Sequence, residues 1–252
     1  MMKKIINFIL FFLILNTVAG QSVSVDYNFI FTTHSDIFKS NLFIPNDSIS
    51  VYEIYEKNNE NFSEVNNDGC NKKIIIKKPV YLNRKIIKDK NNDSLYYFKT
   101  DFFKKKKYIK IKDKLSDIVW ELLTETKKIL GYNCTKAVAK YKGKDYEAWF
   151  TESLPYSDGP WKFSGLPGLI LEIKSKDGTL GIEAEKLVLN SMREFKNEKI
   201  PYIKEYTWNE YVLEMKRLLK KMKKFAYSSS VNNVEATIEF NEPDYTIKND
   251  NE

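Results

Sequence analysis

Histidine is nearly missing from this chain: His34 is the only one in 252 residues. That excludes a multi-histidine metal site and leaves a Ser-His triad a single candidate imidazole. Arginine is almost as scarce, with Arg84, Arg193 and Arg217 the only three, so lysine carries the net charge of +7. Arginine forks are the usual readers of bases and phosphates, and nucleic acid is therefore not expected as a partner. Glycine (9) and proline (7) are too few for a collagen-like or low-complexity chain. No P-loop, dinucleotide fingerprint, HExxH or GxSxG pattern occurs, and neither a cofactor nor a metal is expected.

Long apolar runs are confined to the start. Lys3 and Lys4 precede an apolar stretch from Ile5 to Leu15, and Val18-Ala19-Gly20 supplies small residues before Gln21. This is the pattern of a secretory leader over residues 1–20. Its apolar run is about eleven residues, short of the about twenty that a membrane span needs. No later stretch is long enough, so no transmembrane segment is expected in the mature chain. The protein is expected to be exported, to the periplasm or outer membrane or beyond. Two cysteines remain, Cys70 and Cys134. In an exported chain an even count suggests one bridge, and two buried thiols are the alternative.

What fills the rest is short alternating runs of β-branched and aromatic residues between turn residues. Strands are expected over 23–32, 48–55, 95–103, 108–111, 118–127, 135–141, 146–152, 169–173 and 180–189, with shorter ones near 74–76 and 80–82. Residues 58–71 read as a surface loop, and Lys104 to Lys107 as a solvated hairpin tip. In the run from Tyr146, the residues Tyr146, Ala148 and Phe150 face inward and Trp149 outward with Glu147. Asp177-Gly178 is a strong hairpin turn. The fold expected is mainly β (α+β): a curved antiparallel meander or half-barrel, one domain over 21–240, with a frayed tail over 241–252.

One helix stands out. Thr207-Trp208-Asn209-Glu210 matches a capping box. Tyr211, Val212, Met215, Leu218, Leu219, Met222 and Phe225 then recur at helical spacing, with lysines on the other face and a cationic last turn. This is a C-terminal amphipathic helix packed on the sheet. A short strand is expected over 234–240.

Residues 155–171 hold three prolines and three glycines around Trp161 and Phe163. Pro167-Gly168 fits the centre of a type II turn, where glycine accepts positive φ. Such a corner is stiff, and its apolar side chains must be buried in this protein or against a partner. Within it, Gly165-Leu166-Pro167-Gly168-Leu169-Ile170 spells the motif of the GLPGLI family. Lys128-Ile129-Leu130-Gly131-Tyr132-Asn133-Cys134, Tyr146-Glu147-Ala148-Trp149-Phe150-Thr151 and Gly159-Pro160-Trp161-Lys162-Phe163 also resemble blocks of that family, in the same order. The resemblance implies an exported Bacteroidetes protein and carries over no activity.

Three functions are compatible with these residues. The first is a non-catalytic binding or scaffold protein of the cell envelope, with Trp120, Trp149, Trp161 and Phe163 lining a surface for an apolar ligand or peptide. The second is an accessory partner of an outer-membrane protein in assembly or transport. The third is a hydrolase using Glu152 and Asp158, or Cys134 as nucleophile. It ranks last, because the two carboxylates read as exposed turn residues with no cation or base to tune them, so no catalytic residue is named.

Overall fold

The computed structural model describes residues 22–31, 36–55, 65–68, 71–74, 85–101, 107–195 and 199–228. The expected leader over 1–20, His34, Cys70, most of the lysine tip, the strands expected near 75–82 and 234–240, and the tail from 241 lie outside the described residues.

The strands are β1 (Val23–Phe31), β2 (Asp36–Ile44), β3 (Ile49–Tyr55), β4 (Val65–Asp68), β5 (Asn71–Ile74), β6 (Lys85–Asp89), β7 (Ser94–Thr100) and β8 (Tyr108–Lys114). They continue as β9 (Glu121–Ile129), β10 (Tyr132–Tyr141), β11 (Lys144–Thr151), β12 (Leu169–Ser175), β13 (Leu180–Leu189) and β14 (Lys204–Thr207). Helix α1 (Trp208–Ser228) follows. β4 and β5 pair as a separate hairpin within the stretch read as a loop. The other twelve form one open sheet in the order β14-β8-β7-β6-β3-β2-β1-β13-β12-β11-β10-β9. Two meanders are thus joined where β13 pairs antiparallel with β1. Only the short edge strand β14 runs parallel to its neighbour, β8. The expected mainly β sheet with one C-terminal helix is what the chain adopts.

The boundaries follow local chemistry. Gly131, Gly143 and Gly178 take positive φ at the turns β9–β10, β10–β11 and β12–β13, where only glycine is free of Cβ strain. Besides β4, β5 and the short β14, the strands β2 and β6 were not expected from alternation. In β2 every residue from Ser40 to Ile44 is buried, and in β6 Ile86, Ile87 and Lys88 are all buried. Strands covered on both faces show no period of two. Trp120, expected inside a strand, lies just before β9.

The capping box at the helix start is formed. The Thr207 backbone N–H donates to Glu210 Oε2 at 2.8 Å, and the Glu210 N–H donates to Thr207 Oγ1 at 3.3 Å. Trp208, Tyr211 and Leu218 are buried, while Val212 and Met215 are half-buried against the core. The side chains of Leu219, Met222 and Phe225 lie outside the described set. The helix continues to Ser228, past the last lysine, so its final turn holds no basic residue, contrary to expectation.

The core lies on one face of the sheet. The cross-strand row Val25, Leu42, Tyr52, Ile86, Tyr97 and Ile111 points there, and each is fully buried. The sheet must curl around what fills that face. Phe163 packs on Tyr146 of β11 at 4.9 Å between ring centroids, while the neighbouring Lys162 places its Nζ 4.3 Å from the Tyr97 ring of β7. Seven strand spacings separate β7 from β11. At about 4.8 Å each, a flat sheet would hold them roughly 34 Å apart. Two adjacent residues can touch both only if the sheet wraps them.

The Pro/Gly corner sits inside that wrap, and its glycines are there for room as much as for dihedral freedom. Gly168 is not at positive φ, which corrects the type II expectation; Gly165 is, at +93°. A Cβ on Gly168 would lie 2.2 Å from the Thr151 carbonyl oxygen, and one on Gly159 would lie 2.7 Å from Ile170 Cβ. The corner backbone therefore passes too close to β11 and β12 for any side chain. Gly168→Ala is expected to cost about 2–3 kcal/mol through forced backbone movement. The check is the urea midpoint: an unchanged value would show that the corner does not press on β11.

Candidate functional site

The corner between β11 and β12 brings Trp161 and Phe163 into the core instead of onto a lining surface: they are 1% and 0% exposed. Phe163 N–H donates to Pro160 O at 3.1 Å, closing a tight turn in which Trp161 holds φ +54°. A bulky residue in that region is an outlier that surrounding contacts must enforce. Here Trp161 packs edge-on against Phe29 at 6.0 Å and against Phe163 at 5.7 Å. Trp120 is half-buried over the same segment, donating Nε1–H to Ser164 O at 2.8 Å. Three of the four aromatic residues proposed as a ligand surface are therefore spent on filling and capping the concave face. The motif residues Leu166, Leu169 and Ile170 are equally buried, and Gly165 and Pro167 form the exposed rim.

Beneath the aromatics lies a buried ion pair. Lys88, on β6, donates to Asp158 Oδ1 at 2.8 Å, Gly159 O at 2.6 Å and Phe163 O at 2.7 Å, which occupies all three ammonium protons. Lys90 approaches Asp158 Oδ2 at 2.9 Å. Lys88 and Asp158 are both fully buried. Burial by itself would push the Asp158 carboxyl up, but the two ammoniums outweigh it and hold it at about 2. This corrects the expectation of an exposed turn carboxylate at Asp158. Its cations come from β6 and the turn after it, about seventy residues earlier, so local spacing held no sign of them. Glu152 is exposed, as expected.

A second polar group ties the two ends of the curled sheet. Asp113 of β8 accepts from Tyr141 Oη at 3.3 Å and from Lys142 Nζ at the β10–β11 turn. Lys142 also lies 3.9 Å from the Trp208 ring centroid, and Lys162 lies 5.0 Å from it. Side chains close the gap that no backbone ladder spans, and the first residue of α1 covers them. These charges hold shape and are committed to one another.

Trp149 differs from the other three. It is half-buried on the opposite face, in the row Lys136, Trp149, Glu172, Glu183, Asn28, Lys39. Lys127 and Lys136 stand 4.4 and 5.9 Å from its ring centroid, with Lys127 donating to Glu172 at 2.7 Å. Its outward direction was legible from alternation, and its lysine cover was not. The sequence did not point to a further surface group: Tyr96 of β7 meets Phe98, and Phe98 meets Tyr202, which precedes β14. The Tyr96/Phe98 alternation was its one sequence signal.

Among the described residues, no three His, Cys, Asp or Glu side chains are grouped to hold a metal ion. Cys134 is a free, buried thiol whose pKa is pushed up by burial, so it is a poor thiolate source. The bridge considered with Cys70 reaches outside the described residues. No helix is long and apolar enough to cross a membrane, again among the described residues.

Comparison with known proteins gives this geometry a relative. Residues 42–207 match the family described as N-glycanase peptide, N-terminal domain. Two crystal structures of PNGF-II, in different crystal forms, share the fold. One aligns at a TM-score of 0.51 and 20% identity over 80% of this chain and 33% of that one. The other aligns at 0.52 and 18%, over 80% and 34%. The chain thus spans about a third of the length of the solved structures it matches, and at these identities the likeness concerns the fold. No curated protein matches. The family that matches is not GLPGLI, and that assignment is corrected. The Gly165–Ile170 hexapeptide describes a tight corner that the packing demands, and such a motif speaks to structure before ancestry. The same match overturns the reading as a non-catalytic binding or scaffold protein for an apolar ligand, peptide or envelope partner: the matching family carries the name of a glycanase, and of the aromatics that suggested apolar cargo Trp161 and Phe163 are core, Trp120 caps them and Trp149 lies among lysines on the other face.

Removing one partner of the buried pair strands the other. Lys88→Met is expected to destabilise by about 3–5 kcal/mol in chemical denaturation at neutral pH. The carboxyl of Asp158 is depressed from its ordinary 3.8, so its stabilisation is complete above that value and lost as pH falls through about 2. The urea midpoint of the native chain should fall between pH 5 and 2 more steeply than that of Lys88→Met. Equal slopes would remove the pair from its assigned role.

Proposed function

Because the chain belongs to the family of N-glycanase N-terminal domains, we propose that it works in the processing of N-linked glycans, as a domain that meets the glycoprotein. The observation that carries this reading is the extent of the family match. It runs from the end of β2 through β14 and includes the corner, the Lys88–Asp158 pair and the Asp113–Lys142 contact. The fold shared with PNGF-II over 80% of the chain supports it. A rigid curled sheet suits the task, since fixed elements position contacts better than loops do. The leader-like sequence pattern over residues 1–20 supports export, which would bring the domain to glycoproteins outside the cytoplasm.

Two measurements test this. The full chain should retain an N-glycoprotein on a column, or release its glycan, while the same protein stripped of its glycan runs through. Equal treatment of both forms, with no free glycan by mass spectrometry, would sink the proposal. For export, the mass of the protein recovered from outside the cytoplasm should correspond to a chain starting at Gln21. An intact Met1 in that fraction would refute cleavage there.

A further inference from the structure

The outer face of the sheet carries an aromatic patch near its β14 edge that the fold does not use as core. Antiparallel pairing puts Tyr96 and Phe98 of β7 on the same face as Tyr108 and Lys110 of β8, and the parallel pairing adds Glu205 of β14 beside Lys110. Tyr96 and Phe98 meet edge-on at 6.4 Å, and Phe98 meets Tyr202 at 6.2 Å. Tyr202 and Tyr108 are 45% and 40% exposed. At the centre stands Lys110. Its Nζ lies 4.7 Å from the Tyr96 centroid, 5.4 Å from that of Tyr202 and 3.1 Å from Glu205 Oε2, which also accepts from Tyr202 Oη at 3.2 Å.

We propose that Tyr96, Phe98, Lys110, Tyr202 and Glu205 form a saccharide platform, a contact site for the glycan of an N-glycoprotein. This rests on the glycan reading above and names the surface that performs it. Tyr96 and Phe98 are half-buried and Tyr202 is exposed, and contacting rings that the core does not use mark a binding surface in preference to solvated polar face. The chemistry of the centre selects the ligand. A protein partner or a lipid surface would have to desolvate the Lys110–Glu205 pair in the middle of its contact, where charge is usually depleted. A saccharide avoids that cost: its C–H faces lie on the negative faces of the rings, while its hydroxyls accept from the ammonium and donate to the carboxylate as water does. The pair is partly exposed, at 20% and 40% of its side chains, and so remains reachable by such hydroxyls.

The test titrates the isotope-labelled full chain with a free oligomannose N-glycan, followed by NMR. The expected result is shift changes at Tyr96, Phe98 and Tyr202, with Tyr202→Ala weakening binding by about tenfold. Glu205→Gln, which keeps the shape, should weaken it less, and Trp149→Ala on the far part of the sheet should leave it unchanged. Folding of each variant is checked by the dispersion of its spectrum. Binding that is unaltered in both Tyr202→Ala and Tyr96→Ala, or shifts centred elsewhere, would overturn the platform while leaving the glycan reading intact. If the native chain neither binds the free glycan nor distinguishes the glycosylated from the stripped protein, both fall together.

Discussion

Everything in this fold turns on the three consecutive residues Trp161, Lys162 and Phe163 occupying the inside of the sheet. They touch strands that a flat sheet would keep far apart, so the curl is the condition for their burial and their burial is the reward for the curl. β1 supplies Phe29 to Trp161, β7 supplies Tyr97 to Lys162, and β10 and β11 supply Tyr141 and Tyr146 to Phe163. No single hairpin could offer those partners. The sheet and its corner are therefore mutually required, and the strained φ of Trp161 persists because contacts on several sides enforce it.

A curled open sheet needs something to set its curvature, and here polar groups do so. The Lys88–Asp158 pair fastens the corner to β6, and the Asp113 cluster fastens β8 to the β10–β11 turn. Buried ion pairs often add little net stability over an apolar replacement, but leaving one partner alone is costly. Their contribution here is directional. A methylene can sit against any neighbour, whereas the Lys88 ammonium is satisfied only when Asp158, Gly159 and Phe163 all present oxygens to it. Close backbone passage at Gly168 acts in the same sense, permitting one path for the chain and excluding others.

That division of labour separates shape from function. Among the described residues the inner face is filled by the chain's own side chains, and the outer face is the one that offers side chains to a partner. There the sheet shows two different surfaces: a ladder of alternating charges with Trp149 among lysines, and an aromatic group with a single ion pair at its centre. The second has the mixed character that a hydroxyl-rich ligand calls for. It also accords with a chain whose family is that of glycanase N-terminal domains, though it owes nothing to the short Gly/Pro motif that first suggested a different kinship.

The residues by themselves determined the β-rich class, β1 and β13 nearly to their ends, the existence of the later hairpins, the outward direction of Trp149 and the capped start of α1, because alternation, Asp-Gly turns and capping boxes are local physics. They could not disclose β2 or β6, whose two buried faces erase the period, nor the burial of Asp158, whose cations arrive from a distant strand. Which aromatics became core and which stayed at the surface was likewise decided only by the curl. Tryptophans in one sequence neighbourhood look alike until the sheet closes over some of them, and Phe98 and Tyr202, over a hundred residues apart, become neighbours only when β14 docks beside β8.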